Sequence, residues 1–129
     1  MPTHIGTQPG AHTGNNVISF LAAHQQAIPE RPALLWLPPD LKAAWMKDRS
    51  TDLTHTVMPY AELMRAVSAT ACGLRQLGIR KGDRVFVFIP MSPQLYIAMF
   101  AVQQLGAVAV VLDSWARAEQ LGQIGRAHV

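Results

Sequence analysis

The stretch that decides the fold runs from residue 60 to residue 112 and reads YAELMRAVSATACGLRQLGIRKGDRVFVFIPMSPQLYIAMFAVQQLGAVAVVL. Its apolar residues first recur at helical spacing, then form a short continuous run, and then repeat both patterns. Glycine or proline stands at each change of pattern, so we predict helix, turn, strand, helix and strand. Two strands joined by a helix in one sheet pair in parallel through a right-handed crossover. We therefore expect an α/β fold with a parallel βαβ unit over about 84–112.

A long helix is predicted over about 59–77, ahead of the βαβ unit. Pro59 suits its first position, where a missing N–H costs nothing, and Glu62 places a carboxylate near the positive end of the helix dipole. Gly78 is placed to end the helix in the left-handed conformation, and Gly73 is expected to allow close packing. One apolar face follows from steps of three and four residues: Tyr60, Leu63, Val67, Ala71, Leu74 and Leu77.

The two strands of the unit, at about 84–89 and 107–112, lack polar alternation. Such runs are typical of central strands that are covered on both faces. Ser92 is a good N-cap residue, with Pro93 at the first helical position, so a helix is predicted over about 93–105. This helix is apolar almost all round, which predicts burial on more than one side.

The first 59 residues are less informative. Residues 1–14 have no period and predict a flexible tail. Asn15 or Asn16 is expected to cap a helix over VISFLAAHQQA, with Val17, Phe20, Leu21 and His24 on one stripe. A strand at about 33–37 is expected to pair with a weaker one at about 54–57. Residues 40–53 hold six charges and predict a surface excursion with one or two exposed helical turns.

Composition excludes several classes of protein. Half of the 129 residues are apolar and 15% are charged, which suits a globular chain and not a disordered one. A net charge of +3, without basic runs, does not indicate nucleic-acid binding. The single cysteine, Cys72, excludes a disulfide framework and is expected to be a small helix residue. No signal peptide is evident, and two adjacent glutamines disfavour a membrane span over 95–112, so we expect a cytoplasmic protein.

Few residues qualify as site candidates. The loop 90–93 and Asp113 follow the two strands at their carboxyl ends, where open α/β sheets bind ligands. Ser92 and Asp113 could contact a ligand there, but helix capping explains both. The five histidines have no metal-ligand spacing, and Gly73, Gly78 and Gly82 do not fit a phosphate-binding loop. No catalytic triad or carboxylate pair can be assembled.

An ordered set of short motifs resembles the N-terminal region of AMP-forming acyl-CoA synthetases, members of the adenylate-forming superfamily. The matching segments lie between about residues 16 and 122, and they are Tyr60-Ala61-Glu62-Leu63, Gly73-Leu74, LGIRKGDRV at 77–85, PMSP at 90–93, LGAV at 105–108 and Leu112-Asp113. The sequence departs from the family pattern at Pro59, where Ser or Thr is usual, and at Met91, where Asn is frequent. Both replacements suit a helix start.

The resemblance implies the fold and chemistry of the parent protein. We expect residues 15–122 to form an incomplete N-terminal AMP-binding domain. The resemblance also implies that the parent is an ATP-dependent ligase that joins a carboxylic acid, expected to be a fatty acid, to coenzyme A through an acyl-adenylate, with Mg²⁺. This sequence has no counterpart of the family's phosphate loop, ribose-binding carboxylate or catalytic lysine. No catalytic, cofactor-binding or metal-binding residue is therefore carried over. The chain alone is expected to be inactive.

Alternatives within and outside the enzymes stay open. The parent could be a peptide-synthetase adenylation domain or another acyl-adenylate enzyme, or the chain could be a non-catalytic α/β binding module. Acid chain length, the thiol acceptor and oligomeric state are not determined by these residues. The last six residues, IGRAHV, match the translation of a common sequencing-adapter string, so we expect residues 123–129 not to be native.

Overall fold

The computed structural model describes residues 16–52 and 55–112. The predicted tail at 1–14, Asp113, and the expected non-native end at 123–129 lie outside these ranges. The described elements are α1 (Val17–Ala27), β1 (Pro32–Trp36), α2 (Pro39–Lys47), β2 (Thr56–Pro59), α3 (Tyr60–Gln76), β3 (Arg84–Val87), α4 (Pro93–Gln104) and β4 (Val108–Val111). Among them, no helix is both long enough and apolar enough to traverse a lipid bilayer.

The predicted βαβ unit is confirmed. β3 and β4 pair in parallel, with Arg84 opposite Val108 and Val87 opposite Val111, and α4 is the crossover between them. Gly78 and Gly106 have φ values of +98° and +72°, as expected of glycines that follow helices in the left-handed conformation. A Cβ at Gly106 would also lie only 3.0 Å from the Lys81 Cγ, so the Lys81 side chain would have to shift.

α4 is buried because it lies between two layers. One side packs on the strands, where Leu95 and Val102 join Val87 and Ala107 in a buried cluster. The other side packs on α3, where Ala101 joins a second cluster with three buried residues of that helix, Leu63, Val67 and Ala71. Leu74 and Leu105 contact both clusters, so one continuous core connects α3, α4 and the parallel strands.

The expectation that both faces of the parallel strands are covered is wrong within the described residues. Phe86 and Phe88 are 59% and 57% exposed, and Val108 is exposed beside them. The reason is the position of the helices. α4 covers the inward face and α3 packs on the far side of α4, so no described helix reaches the outward face.

The amino-terminal half forms an antiparallel hairpin rather than part of the parallel sheet. β1 pairs with β2, with Leu35 opposite Val57 and Trp36 opposite Thr56. β2 begins two residues later than predicted and includes Pro59, which was expected to start the next helix. The excursion between the strands is confirmed: it contains α2, a nine-residue helix without any buried residue.

Helix faces are predicted less well than helix positions. Asn16 caps α1 by accepting the Ile18 N–H at 3.0 Å, and its side-chain amide donates to the Gln103 carbonyl of α4 at 2.7 Å. This anchor holds α1 with Ile18 against the core, while Val17 and Phe20 of the predicted stripe are exposed. A Cβ added at Gly73 would have no described atom within 4 Å, so the close packing expected there is wrong.

Candidate functional site

The carboxyl edge of β3 and β4 is the place where an α/β sheet of this kind presents a ligand site. On this edge the chain leaves β3 at Val87, passes through residues 88–92 and enters α4 at Pro93. The pairing of the strands continues to Leu112, whose N–H donates to the Val87 carbonyl at 3.0 Å. Asp113, the other sequence candidate, lies outside the described residues.

Ser92 is engaged in capping. Its Oγ accepts the Leu95 N–H at 3.4 Å and its hydroxyl donates to the Pro90 carbonyl at 2.8 Å. The capping interpretation is therefore confirmed, and the hydroxyl has no spare role as a ligand donor in this geometry. Because Pro93 also lacks an N–H, the first turn of α4 offers an anion fewer donors than an ordinary helix start.

The described histidine and carboxylate side chains form no metal-binding group. Within the described residues, no group of three or more His, Cys, Asp or Glu side chains could hold a metal ion. His24 is structural: its ring stacks on Tyr60 with centroids 5.2 Å apart, and Nδ1 lies 2.7 Å from the Phe20 carbonyl. Cys72 is a free and exposed thiol.

Among the described carboxyl groups, that of Asp48 has a shifted pKa, and the cause is local. The Ser50 N–H donates to Asp48 Oδ1 at 2.9 Å and the Ser50 hydroxyl at 2.7 Å. Both bonds favour the ionised form, and they hold the pKa of Asp48 below its ordinary value of 3.8, the backbone bond having the larger effect. The group lies in the exposed turn after α2, so the shift indicates turn formation and not catalysis.

A cleft lies beside the loop that leads into α4. It has a volume of about 630 Å³ and separates the β1–α2 segment from the start of α4; its walls include Trp36, Pro39, Lys42, Trp45, Met91 and Tyr96. We call it the Trp36–Tyr96 cleft. No sequence motif predicts this cleft, because its walls come from segments about 50 residues apart that share no spacing. The local signal is two tryptophans close together, at 36 and 45.

A scan against protein families matches residues 21–127 to the AMP-binding enzymes. The chain belongs to that family. The predicted resemblance is thereby confirmed over most of the chain. Acetyl-coenzyme A synthetase of Psychrobacter cryohalolentis is 32% identical over 108 residues, which is 84% of this chain and 15% of that protein. The corresponding enzyme of Rhodopirellula baltica is 34% identical over 109 residues, again 84% of this chain and 15% of the relative.

Solved structures agree on the fold. The N-terminal subdomain of Klebsiella oxytoca NpsA in complex with 3-hydroxybenzoyl-AMSN aligns with a TM-score of 0.70 at 29% identity, over 87% of this chain and 24% of that one. The fatty acid AMP ligase from Legionella pneumophila aligns with a TM-score of 0.69 over 94% of this chain and 19% of that one, but at 17% identity it shows the fold alone. The chain is thus an α/β, partial N-terminal domain of the adenylate-forming fold.

The described residues do not themselves fit the groups that the family implies. ATP and Mg²⁺ need a cradle of free backbone N–H groups and converging oxygen ligands. Residues 88–92 contain no glycine, Ser92 is engaged in its cap, and no group of three or more described His, Cys, Asp or Glu side chains could hold a metal ion. No catalytic step can therefore be derived from the described side chains.

Proposed function

We propose that this chain is the first part of the N-terminal domain, residues 15–122, of an AMP-forming acid–thiol ligase. The observation that carries the proposal is the family match over residues 21–127. In the proposed reaction a carboxylate oxygen of the substrate attacks the α-phosphorus of ATP and pyrophosphate leaves. The sulfur of a thiol then attacks the acyl carbon and AMP leaves. ATP, Mg²⁺ and coenzyme A would be bound by the parent protein. We propose that the parent is cytoplasmic, because the cytoplasm keeps a single thiol such as Cys72 reduced.

The part played by this chain is structural support. Its βαβ unit would hold the carboxyl edge of the sheet in place, with Ser92 setting the start of α4. We accordingly propose that the 129 residues do not catalyse adenylation by themselves. Purified chain, assayed for ATP–pyrophosphate exchange with acetate, octanoate and 3-hydroxybenzoate, should show no turnover above a buffer blank. Measurable exchange would contradict this assignment.

The acid is proposed to be short. The motif resemblance alone implies a fatty acid, but the relatives from Psychrobacter cryohalolentis and Rhodopirellula baltica are named acetyl-coenzyme A synthetases, at 32% and 34% identity over 84% of the chain. The test uses the parent protein, obtained by extending the sequence of the source locus. We expect pyrophosphate exchange to be faster with acetate than with octanoate or palmitate at equal concentration. A preference for palmitate would restore the fatty acid proposal.

A peptide-synthetase adenylation domain is the second candidate. It is favoured by the likeness to NpsA–ThdA of Klebsiella oxytoca, an artificially fused adenylation–carrier protein, with a TM-score of 0.70 and 29% identity over 87% of this chain. The two candidates differ in the thiol acceptor. Mass spectrometry would show acyl-CoA for the first and an acylated carrier protein for the second. A parent that forms neither product and exchanges no pyrophosphate would favour a non-catalytic module.

A further inference from the structure

The parallel strands carry an apolar face on the side away from α4. Alternation along each strand and the register between the strands place six side chains on this side. Phe86, Phe88 and Val108 are 59%, 57% and 51% exposed, and none of the six belongs to a buried cluster of the core. We call this set the outward face: Arg84, Phe86, Phe88, Val108, Val110 and Leu112.

The outward face has nearly the apolar area that a dimer interface requires. A phenylalanine side chain can bury about 150–250 Å², so each of the two exposed rings still offers about 100 Å² to a partner. With Val108 and the half-buried Val110 and Leu112, the face offers about 300–400 Å² per copy, a size at which an apolar patch marks an interaction site. A standard interface takes about 800 Å² from each partner, of which just over half is apolar. The face therefore fits a weak pairing that depends on protein concentration.

The position of its one charge makes the outward face complementary to itself. Two copies related by a two-fold axis present the same face to each other, with their strands running in opposite directions. Arg84 of each copy then lies toward Phe88 of the other copy, where a guanidinium can contact an aromatic ring. Because Arg84 and Phe88 are four residues apart along an extended strand, the two Arg84 charges are separated by about 13 Å. This exceeds the screening length of about 8 Å at physiological ionic strength, so the repulsion between them is small.

The strand edges disfavour open-ended association. β3 and β4 are each only four residues long, and very short edge strands are one way in which proteins avoid edge-to-edge pairing. Contact through the outward face, in contrast, is complete after two copies, because each copy uses the same face. These features favour a closed dimer.

We propose that two copies of this chain associate through the outward face, with Phe86 and Phe88 of each copy packed on those of the other. The two sheets lie about 10 Å apart, the usual spacing of packed sheets, and each covers the face that no described helix covers in the single chain. This association goes beyond the proposed adenylation reaction, since it requires neither ATP nor a thiol. It concerns the chain of 129 residues, whatever covers this face in the proposed parent.

The first test measures mass against concentration by sedimentation equilibrium. Between about 1 and 200 µM, a range that brackets weak dimers, the mass should rise from 14.1 kDa toward twice that value and no further. Phe86→Gln should raise the dissociation constant about tenfold, the loss typical of a residue at the centre of an interface. Phe20→Gln is the matched control, because Phe20 is 60% exposed but lies on α1, and it should leave the dissociation constant unchanged. Far-ultraviolet circular dichroism checks that both variants are folded.

The second test keeps both phenylalanines. In a Cys72→Ser background, Val110→Cys places a thiol opposite Phe86 on the outward face, and Val57→Cys places one on the β1–β2 hairpin. A bismaleimide that spans about 10 Å should link two copies of the first variant and few copies of the second.

Four results would each overturn the proposal. They are a single-chain mass at every concentration, a mass that grows beyond two copies, equal effects of the two phenylalanine variants, and equal crosslinking of the two cysteine variants. A chain that stays monomeric overturns it whether the outward face is covered by another part of the same chain or binds a different kind of partner.

Discussion

Replacing Leu63 by Ala should destabilise the chain far more than replacing Leu77 by Ala. The sequence pattern places both leucines on one apolar face of α3, but their exposed fractions are 1% and 82%. Leu63 packs in the cluster with Val67, Ala71 and Ala101, around which α1, β1 and β2 contribute Ile18, Leu34 and Met58. Leu77 follows the last helical residue and lies in solvent. The two variants therefore remove the same atoms from opposite environments.

The expected magnitudes differ by several-fold. A buried Leu→Ala change costs about 2–5 kcal/mol, because transfer free energy is lost and a cavity is left. An exposed one is usually within about 0.5 kcal/mol of neutral. With a urea m-value of about 1.5 kcal/mol/M, typical of small proteins, a loss of about 3 kcal/mol lowers the urea midpoint by about 2 M. By the same conversion, Leu77→Ala should move it by less than about 0.3 M.

Urea unfolding followed by circular dichroism in the far ultraviolet measures both changes against the unmodified chain. If Leu63→Ala leaves too little folded protein to fit, Val67→Ala serves instead, because Val67 is fully buried in the same cluster and loses fewer atoms. Equal shifts for the buried and exposed variants would refute the packing of α3 described above. So would a midpoint that Leu63→Ala lowers by less than about 0.5 M.

Three smaller predictions concern the helix ends and turns. Ser92→Ala should lower the free energy of unfolding by about 1 kcal/mol, because the Leu95 N–H loses its cap; Ser92→Asp, which can still accept that bond, should restore most of it in urea titrations. Gly106→Ala should lower the urea midpoint, because alanine is strained at the positive φ of +72° that Gly106 adopts. Gly73→Ala should instead raise the free energy of unfolding by up to about 1 kcal/mol, because alanine favours the helix and the added methyl group lies in open space. An NMR titration should give Asp48 a pKa below 3.8, and Ser50→Ala should raise that pKa in part by removing the side-chain hydrogen bond. Because the folded pKa is depressed, this turn stabilises the folded state above about pH 4, and the stabilisation is lost as pH falls through the folded pKa.

Most of the element positions in the second half of the chain could be predicted, because their signals are local. Ser92 followed by Pro93 marks the start of α4, whatever that helix packs against. In the same way, Gly78 marks the end of α3. The order strand, helix, strand then restricts the pairing to parallel by chain connectivity alone. The β1–β2 hairpin was predicted with an offset, since a short strand without clear alternation has no local mark for its register.

The candidate site was predicted less completely. The sequence identifies the loop at residues 90–93 and its capping serine, but it does not show that Trp36, Lys42 and Trp45 face the same cleft as Tyr96. These residues meet only because the hairpin and α4 pack on opposite sides of the cleft. Nothing in the spacing of residues so far apart encodes that approach.

What the sequence determined by itself was the succession of helices and strands from 60 to 112, their caps and the family to which the motifs belong. These depend on backbone preferences and on connectivity, both of which act over a few residues. Only the tertiary structure decided that Leu63 is buried and Leu77 exposed. It also placed Phe86 and Phe88 on a face that no described helix covers, and turned Ile18 rather than Phe20 of α1 to the core. Burial is a property of what packs against a residue, and in this chain that depends on the position of α4 between α3 and the parallel strands.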